Sequence, residues 1–287
     1  MAVSIGMWLA GVVTANAAPV AVLDDAGRAV ILTEPAARIV ALSPHVTELL
    51  FAAGAGEQVV GVSGFSDYPP SAALLPKIGD GSGLDLEAIL ALQPDLIVAW
   101  QSGVSRHRLD QLERLGLPVF YSEPRVPADV ASSLERLGLL AGSDSRARQV
   151  AERFRRDVDE LQQRYSSRTP VRVFYQVWQR PLMTINGDHL ISAWLRLCGA
   201  QNIFSSLPAL VPSVDIEAVI AADPMAIVAG DYPGKDKNWT ELWQGWPEIQ
   251  AVIAGHLFTV PADLLERQTP RALRAVRQLC ERIDRIR

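Results

Sequence analysis

Signatures of catalysis and of metal binding are missing from these 287 residues. The four histidines, His45, His107, His189 and His256, are scattered. No H-x-x-x-H, H-E-x-x-H or C-x-x-C pair appears, which argues against a closed metal site. No P-loop and no G-x-G-x-x-G occurs, since Gly79, Gly81 and Gly83 are wrongly spaced to cradle a phosphate. Gly61-Val-Ser-Gly-Phe65 fails as a nucleophile elbow because Phe65 stands where the second glycine belongs. Basic charge is short as well: the net charge is -5 and no Lys/Arg run exceeds two residues, which sets nucleic acid aside as a partner. Beyond the N-terminus no apolar run approaches the ~18 residues of a membrane span. Catalytic residues, a resident cofactor and a metal are therefore expected to be lacking. The one start for an enzyme, an exported α/β hydrolase, is Ser43 near His45.

What is present is a duplication. Asp85-Leu-Glu-Ala-Ile-Leu-Ala-Leu-Gln-Pro-Asp-Leu-Ile-Val-Ala-Trp100 recurs as Asp215-Ile-Glu-Ala-Val-Ile-Ala-Ala-Asp-Pro-Met-Ala-Ile-Val-Ala-Gly230, with eight of the sixteen positions identical. Each copy reads as a helix, a proline break and a buried strand. Two similar halves fold as two similar lobes, and a crevice between lobes is a common small-molecule site.

The first 17 residues carry no charge and run from an apolar core, Ile5 to Val13, into Ala15-Asn-Ala17, a pattern of a cleaved signal peptide. The positive start of such a signal is missing, so the true translation start is expected upstream of Met1. Neither cysteine lies near the cleavage site, which removes a lipid-modified cysteine and predicts a free periplasmic protein. From Val20 on, strands alternate with helices at a spacing that implies a mainly parallel sheet covered on both faces. The expected fold is α/β, with two Rossmann-like lobes, residues 18–143 and 169–287, joined by one long helix within 144–168. In that helix Val150, Phe154, Val158 and Leu161 form one apolar stripe among many charges. A helix is a rigid strut, so closure around a ligand should be small. Cys198 and Cys280 sit in helical patterns; either a bridge pins the last helix to the second lobe, or two buried thiols remain free.

In open α/β sheets ligands bind beyond the carboxyl ends of the strands. Those ends carry Ser43-Pro-His45, Phe65-Ser-Asp-Tyr68, Trp100-Gln-Ser-Gly, Trp178-Gln-Arg-Pro, Asp231-Tyr232 and Asp263-Leu264-Leu265-Glu266-Arg267. Flat rings with a few polar groups suit a large planar ligand. Glu87 and Glu217 are equivalent glutamates of the two copies. An acid in a helix's first turn is favoured by the dipole, and a symmetric pair of carboxylates also suits docking on a two-fold partner that carries arginines.

Arg38-Ile-Val-Ala-Leu-Ser-Pro-His-Val-Thr-Glu-Leu-Leu-Phe-Ala-Ala-Gly54, Ser66-Asp-Tyr-Pro-Pro70, Leu86 to Trp100, Leu197-Cys-Gly-Ala-Gln-Asn-Ile-Phe204 and Glu266-Arg-Gln-Thr-Pro-Arg271 together resemble the periplasmic cobalamin-binding proteins of ABC importers. These belong to a helix-linked class whose members also carry haem and ferric siderophores. The resemblance runs from about Ala18 to the C-terminus. It implies a monomer that holds a cobalamin or related corrinoid in its cleft and delivers it to a permease dimer in the inner membrane. Haem or a ferric siderophore is the alternative cargo, with Tyr68 or His45 as the iron ligand for haem. The resemblance makes Tyr68, Trp100 and the run Asp263 to Arg267 ligand contacts, with His45 and Trp178 beside them. It makes Glu87 and Glu217 the docking points for permease arginines, and Cys198 and Cys280 a disulfide. Gly81, Val177 and Val211 stand where the cobalamin binders carry aromatic residues, which leaves the exact cargo open. Trp178 and the group Trp239, Trp243 and Trp246 are candidates to replace those rings.

Overall fold

The computed structural model describes residues 19–80, 83–232 and 237–287; the expected signal peptide and Gly81 lie outside them. A hairpin of β1 (Val20–Leu23) and β2 (Ala29–Leu32) opens the chain, with Val20 opposite Leu32. It docks on the strand Val119–Ser122, where Asp25 donates its N–H to Tyr121 O at 2.9 Å. The first lobe's sheet contains β3 (Ile39–Ala41), β4 (Val59–Val62), β5 (Leu96–Trp100) and β6 (Val119–Ser122). All pairs are parallel, in the order β4-β3-β5-β6, with Val40 opposite Ile97. The second lobe's sheet contains β7 (Val171–Gln176), β8 (Ala200–Asn202), β9 (Ala226–Asp231) and β10 (Leu257–Pro261). It too is parallel, in the order β8-β7-β9-β10, with Tyr175 opposite Val228. Each lobe therefore runs second, first, third, fourth strand, the same topology twice.

The repeat seen in the sequence is also a repeat of conformation. Its helices are Leu86–Ala91 and Ile216–Ala222, and Ile89 and Val219 bury the same face of each against the outer side of its sheet. Asp85 caps the first helix by accepting the N–H of Ala88 at 2.9 Å. Gln93 and Asp223, at equivalent positions before the paired prolines, both take left-handed φ values, 46° and 41°. A proline disfavours helical geometry at the residue before it, so both chains turn sharply into the following strand.

Between the lobes stands the helix Asp144–Tyr165, 22 residues and so about 33 Å long. Ala147, Ala151, Phe154, Val158, Leu161 and Tyr165 are its buried face. Val150, which the sequence puts in that stripe, is only partly buried, since the alanines allow the closest approach to the helix Pro127–Leu140. Ile39, Ala41, Leu96 and Val98 of the first sheet, this helix, and Val173, Tyr175 and Val228 of the second all belong to one continuous core. The last helix, Ala272–Asp284, closes over the strut, and Cys198–Cys280 forms the disulfide that ties it to the second lobe. No helix among the described residues is long and apolar enough to cross a membrane.

Candidate functional site

In a second-first-third order the chain reverses direction after the second strand, which leaves a gap beyond the carboxyl ends of the first and third. Those ends are β3 and β5 in one lobe, β7 and β9 in the other. Ser43, just after β3, is the N-cap of the helix Pro44–Ala52: its Oγ accepts the N–H of Val46, and Pro44 takes the first helical position. That cap starts the helix at Pro44, ahead of its apolar run Leu49-Leu-Phe51, and fixes His45 at the gap. His45 meets the Trp100 indole edge to face, with ring centroids 5.4 Å apart. Across from them the second lobe presents Val177 and Tyr232. One cavity of about 1070 Å³ lies between the two switch points. Its wall includes His45, Phe65 and Trp100 from the first lobe and Val177, Val211, Tyr232, Asp263, Glu266 and Arg267 from the second.

Trp100 is held from behind. A Cβ at Gly103 would lie 1.9 Å from its ring, so only glycine lets the backbone lie flat on the indole. The repeat-equivalent position in the second lobe is Gly230, where a Cβ would fall 2.7 Å from Glu266 Oε1 and 3.1 Å from the Tyr232 ring. Carboxylate and phenol thus occupy the space that tryptophan fills in the first lobe. Glu266 accepts hydrogen bonds from Tyr175 Oη at 3.1 Å and from Tyr232 Oη. Burial, reinforced by the Glu266 charge, raises the pKa of both phenols, which stay protonated as donors.

Arg267 reaches out of the second lobe and ties it to the first. Its guanidinium donates to Glu48 Oε1 at 2.7 Å, to Asp67 Oδ1 at 2.8 Å and to Phe65 O at 3.3 Å. Thr269 donates to Glu48 Oε2 at 3.0 Å, and Arg271 lies 3.4 Å from that oxygen. Glu48 is buried, which raises its pKa against the pull of the two arginines. His45 is fully enclosed, and burial together with the nearby Arg267 charge lowers its pKa to about 3, so the ring is neutral. Its Nδ1 lies 3.1 Å from Ser43 Oγ, and its Nε2 has no hydrogen-bond partner. Among the described residues no cluster able to hold a metal ion occurs.

The residues singled out from the sequence divide in three. His45, Trp100, Asp263, Glu266 and Arg267 meet at the cavity, although Arg267 is already engaged by two carboxylates. Leu264 and Leu265 do not reach it; both are packed in the central core, as the inward face of a short helix, Ala262–Leu265. Tyr68 stands outside, 42 % exposed, with the Arg271 guanidinium 3.7 Å above its ring. Trp178 borders an adjoining hollow of about 590 Å³ with Tyr232 and Trp239. Trp243 does not supply a ring to either space: it is buried against Phe174 and donates to Gln176 Oε1 at 2.8 Å. Val177 and Val211 line the main cavity, so the wall is wider there than an aromatic residue would leave it. Glu87 and Glu217 are both exposed in the first turns of their helices. Each helix runs antiparallel to the strand after it, so both carboxylates stand at the strands' carboxyl ends, on the cavity's side of the molecule.

Sequence reasoning missed Glu48, Asp67, Arg125 and His189. Arg125 follows the carboxyl end of β6, and His189 caps the helix Leu190–Leu197, its Nδ1 accepting the N–H of Ile191 at 3.1 Å. Both line the cavity, from opposite lobes. The strand-end rule that found the other loops, applied to β6, would have found Arg125.

Two alike α/β lobes, one rigid connecting helix and a roomy cavity between their strand ends define a two-lobed ligand-binding protein. The family model for periplasmic binding proteins matches residues 39–264, and the chain belongs to that family. The vitamin B12-binding protein of Yersinia pestis is 38% identical over 253 residues, 88% of each chain. That of Vibrio parahaemolyticus is 34% identical over 254 residues, 88% of this chain and 91% of the relative. The crystal structure of the periplasmic vitamin B12-binding protein of Vibrio cholerae superposes with a TM-score of 0.81 at 34% identity, covering 88% of this chain and 98% of that one. A periplasmic haem-binding protein from Roseiflexus shares the fold, with a TM-score of 0.73 at 22% identity and coverage of 87% and 98%.

Proposed function

We propose that this protein captures cobalamin or a related corrinoid in the periplasm, without catalysis, and delivers it to an ABC transporter permease dimer. The observation that carries this reading is the cavity. At about 1070 Å³ it lies just above the ~300–1,000 Å³ that small-molecule sites occupy, room for an unusually large ligand. Rings and aliphatic side chains make up most of its wall surface, with charged and polar side chains set among them, which suits a broad, mostly apolar ring system carrying polar substituents. The vitamin B12-binding relatives support the same cargo. Asp263 supplies an acceptor for amide groups, Glu266 holds the Tyr232 phenol in place, and Tyr232 and Trp100 supply flat contact. Glu87 and Glu217, exposed and equivalent on the two lobes, serve as the docking carboxylates for permease arginines.

Catalysis finds no support in the Ser43–His45 pair. Ser43 is engaged as a helix cap, and no carboxylate bonds to His45 to orient it as a base. Haem is the second reading: the neutral His45 ring leaves Nε2 without a hydrogen-bond partner among the described residues, the form of imidazole that binds iron, and this enclosed ring has to be uncovered before it can do so. Titration calorimetry with cyanocobalamin, beside absorbance with haemin, separates the two. Heat with cobalamin and no Soret shift with haemin is the expected result; a Soret shift with haemin and no heat with cobalamin refutes the corrinoid reading.

A further inference from the structure

A cavity of this size selects among related ligands by the polar groups that its own side chains leave free to meet the ligand, each gaining a charge-assisted or neutral hydrogen bond that a ligand lacking the matching group cannot make. Two arginines border the cavity, and they differ in one respect. Arg267 is held by Glu48 and Asp67. Arg125 is exposed at the cavity's rim, and among the described residues it has no carboxylate within 4.0 Å and its guanidinium makes no hydrogen bond. The neighbouring acids are occupied with backbone: Glu123 accepts from Ser102 N at 2.8 Å, and Asp129 accepts from the backbone N–H groups of Arg125 at 2.9 Å and Val126 at 3.0 Å. Asp188 also borders the cavity, but forms no ion pair with Arg125.

His189 faces the same space from the second lobe. Because Nδ1 accepts the N–H of Ile191, the ring proton sits on Nε2. Among the described residues Nε2 has no partner, and it is not sealed off from solvent. Burial, with the Arg125 charge as the second cause, lowers the ring's pKa to about 4, so at neutral pH His189 offers a hydrogen bond and no charge. The two groups thus bring one full positive charge and one neutral donor to bear from opposite lobes.

We propose that Arg125 and His189 form a subsite for a singly charged acidic oxygen group of the ligand, and that this group is the phosphodiester of a complete cobalamin. The proposal rests on the corrinoid reading above. One unpaired cation matches one negative charge, as a phosphodiester carries, and the neutral donor adds orientation without excess charge. Because the groups come from different lobes, the subsite is complete only when the ligand spans the cavity. It reads whether the corrinoid carries its nucleotide arm.

The test is calorimetric titration of the purified protein with cyanocobalamin and with cobinamide, the corrinoid that lacks the phosphodiester and nucleotide. Arg125→Met leaves no buried partner behind, so folding is expected to be unaffected. It is expected to weaken cyanocobalamin about 10- to 100-fold, the effect of one charge-assisted hydrogen bond. Cobinamide is expected to stay within about twofold. His189→Asn, which keeps an acceptor for the helix cap, is expected to weaken cyanocobalamin roughly three- to tenfold and to spare cobinamide. Equal losses on both corrinoids, or no loss on either, overturn the subsite. If the unaltered protein binds haemin and neither corrinoid, the cargo reading fails while the subsite remains open to trial with haemin and its dimethyl ester. A loss confined to haemin then transfers the subsite to a propionate, and an equal loss on the ester overturns it. Binding of none of the four probes overturns both.

Discussion

Removing Arg267 tests what fastens the two lobes at the cavity's edge. Its side chain is 16% exposed and that of Glu48 only 2%, so Arg267→Met strands a carboxylate that water cannot reach. Breaking a buried pair from one side costs about 3–5 kcal/mol. Thr269 at 3.0 Å and Arg271 at 3.4 Å remain to hold Glu48, which moves the expectation to about 2–3 kcal/mol. Asp67 adds little, being 69% exposed, and contributes under ~1 kcal/mol. Urea unfolding at pH 7 measures the loss. The double variant Glu48→Leu with Arg267→Met removes both charges and is expected to recover most of it, a coupling of about 2 kcal/mol. Acidification supplies a second readout. Burial raises the folded pKa of Glu48, so the protonated form is favoured in the fold, and that contribution is present below the unfolded value of ~4.3 and lost as pH rises. With the guanidinium gone the rise is larger, so the deficit of Arg267→Met shrinks as pH falls from 7 towards 4. A loss below about 0.5 kcal/mol, or single-variant losses that simply add in the double, would refute the clamp.

Replacing Cys198 and Cys280 by serine opens a loop of 82 residues and is expected to cost roughly 4.5 kcal/mol in thermal or denaturant unfolding, reproduced by reduction of the native protein. Gly103→Val pushes a side chain into the Trp100 ring and is expected to weaken ligand binding at least ~10-fold by displacing that wall, read by calorimetry. Glu87→Ala combined with Glu217→Ala is expected to leave ligand affinity within about twofold, since both are exposed and away from the cavity wall, while uptake falls; unchanged uptake removes them as docking points. His45 and His189 have folded pKa values lowered to about 3 and about 4, below the ~6.5 of the unfolded chain. Their contribution to stability is full above pH 6.5 and is lost as pH drops towards 4, and His189→Asn is expected to flatten that slope.

The lobes could be read from the chain because their signals are local. Sixteen residues repeated give the helix, the proline break and the strand, while the left-handed turn shared by Gln93 and Asp223 shows only in the structure. The start of the helix at Pro44 is hidden from the apolar pattern, which begins later, and only the Ser43 cap marks the true start. The site was legible only where it follows a strand end, as for His45 and Trp100. What stayed hidden depends on partners far away in sequence. Nothing near Arg267 shows that Glu48, 219 positions earlier, has already claimed it. Tyr68 looks like a wall ring until Arg271 is seen lying on it. Asp263-Leu-Leu-Glu-Arg267 reads as one contact surface, yet a short helix there turns Leu264 and Leu265 inward and the polar residues outward. Arg125 carries no motif because an unclaimed cation is defined by what does not surround it.

The core that runs unbroken from the first sheet through the strut into the second has a mechanical consequence. Such a molecule has no hinge of its own: prising the halves apart would expose apolar surface along the whole rod and break the Glu48 bridge as well. Heating should therefore melt it in one step.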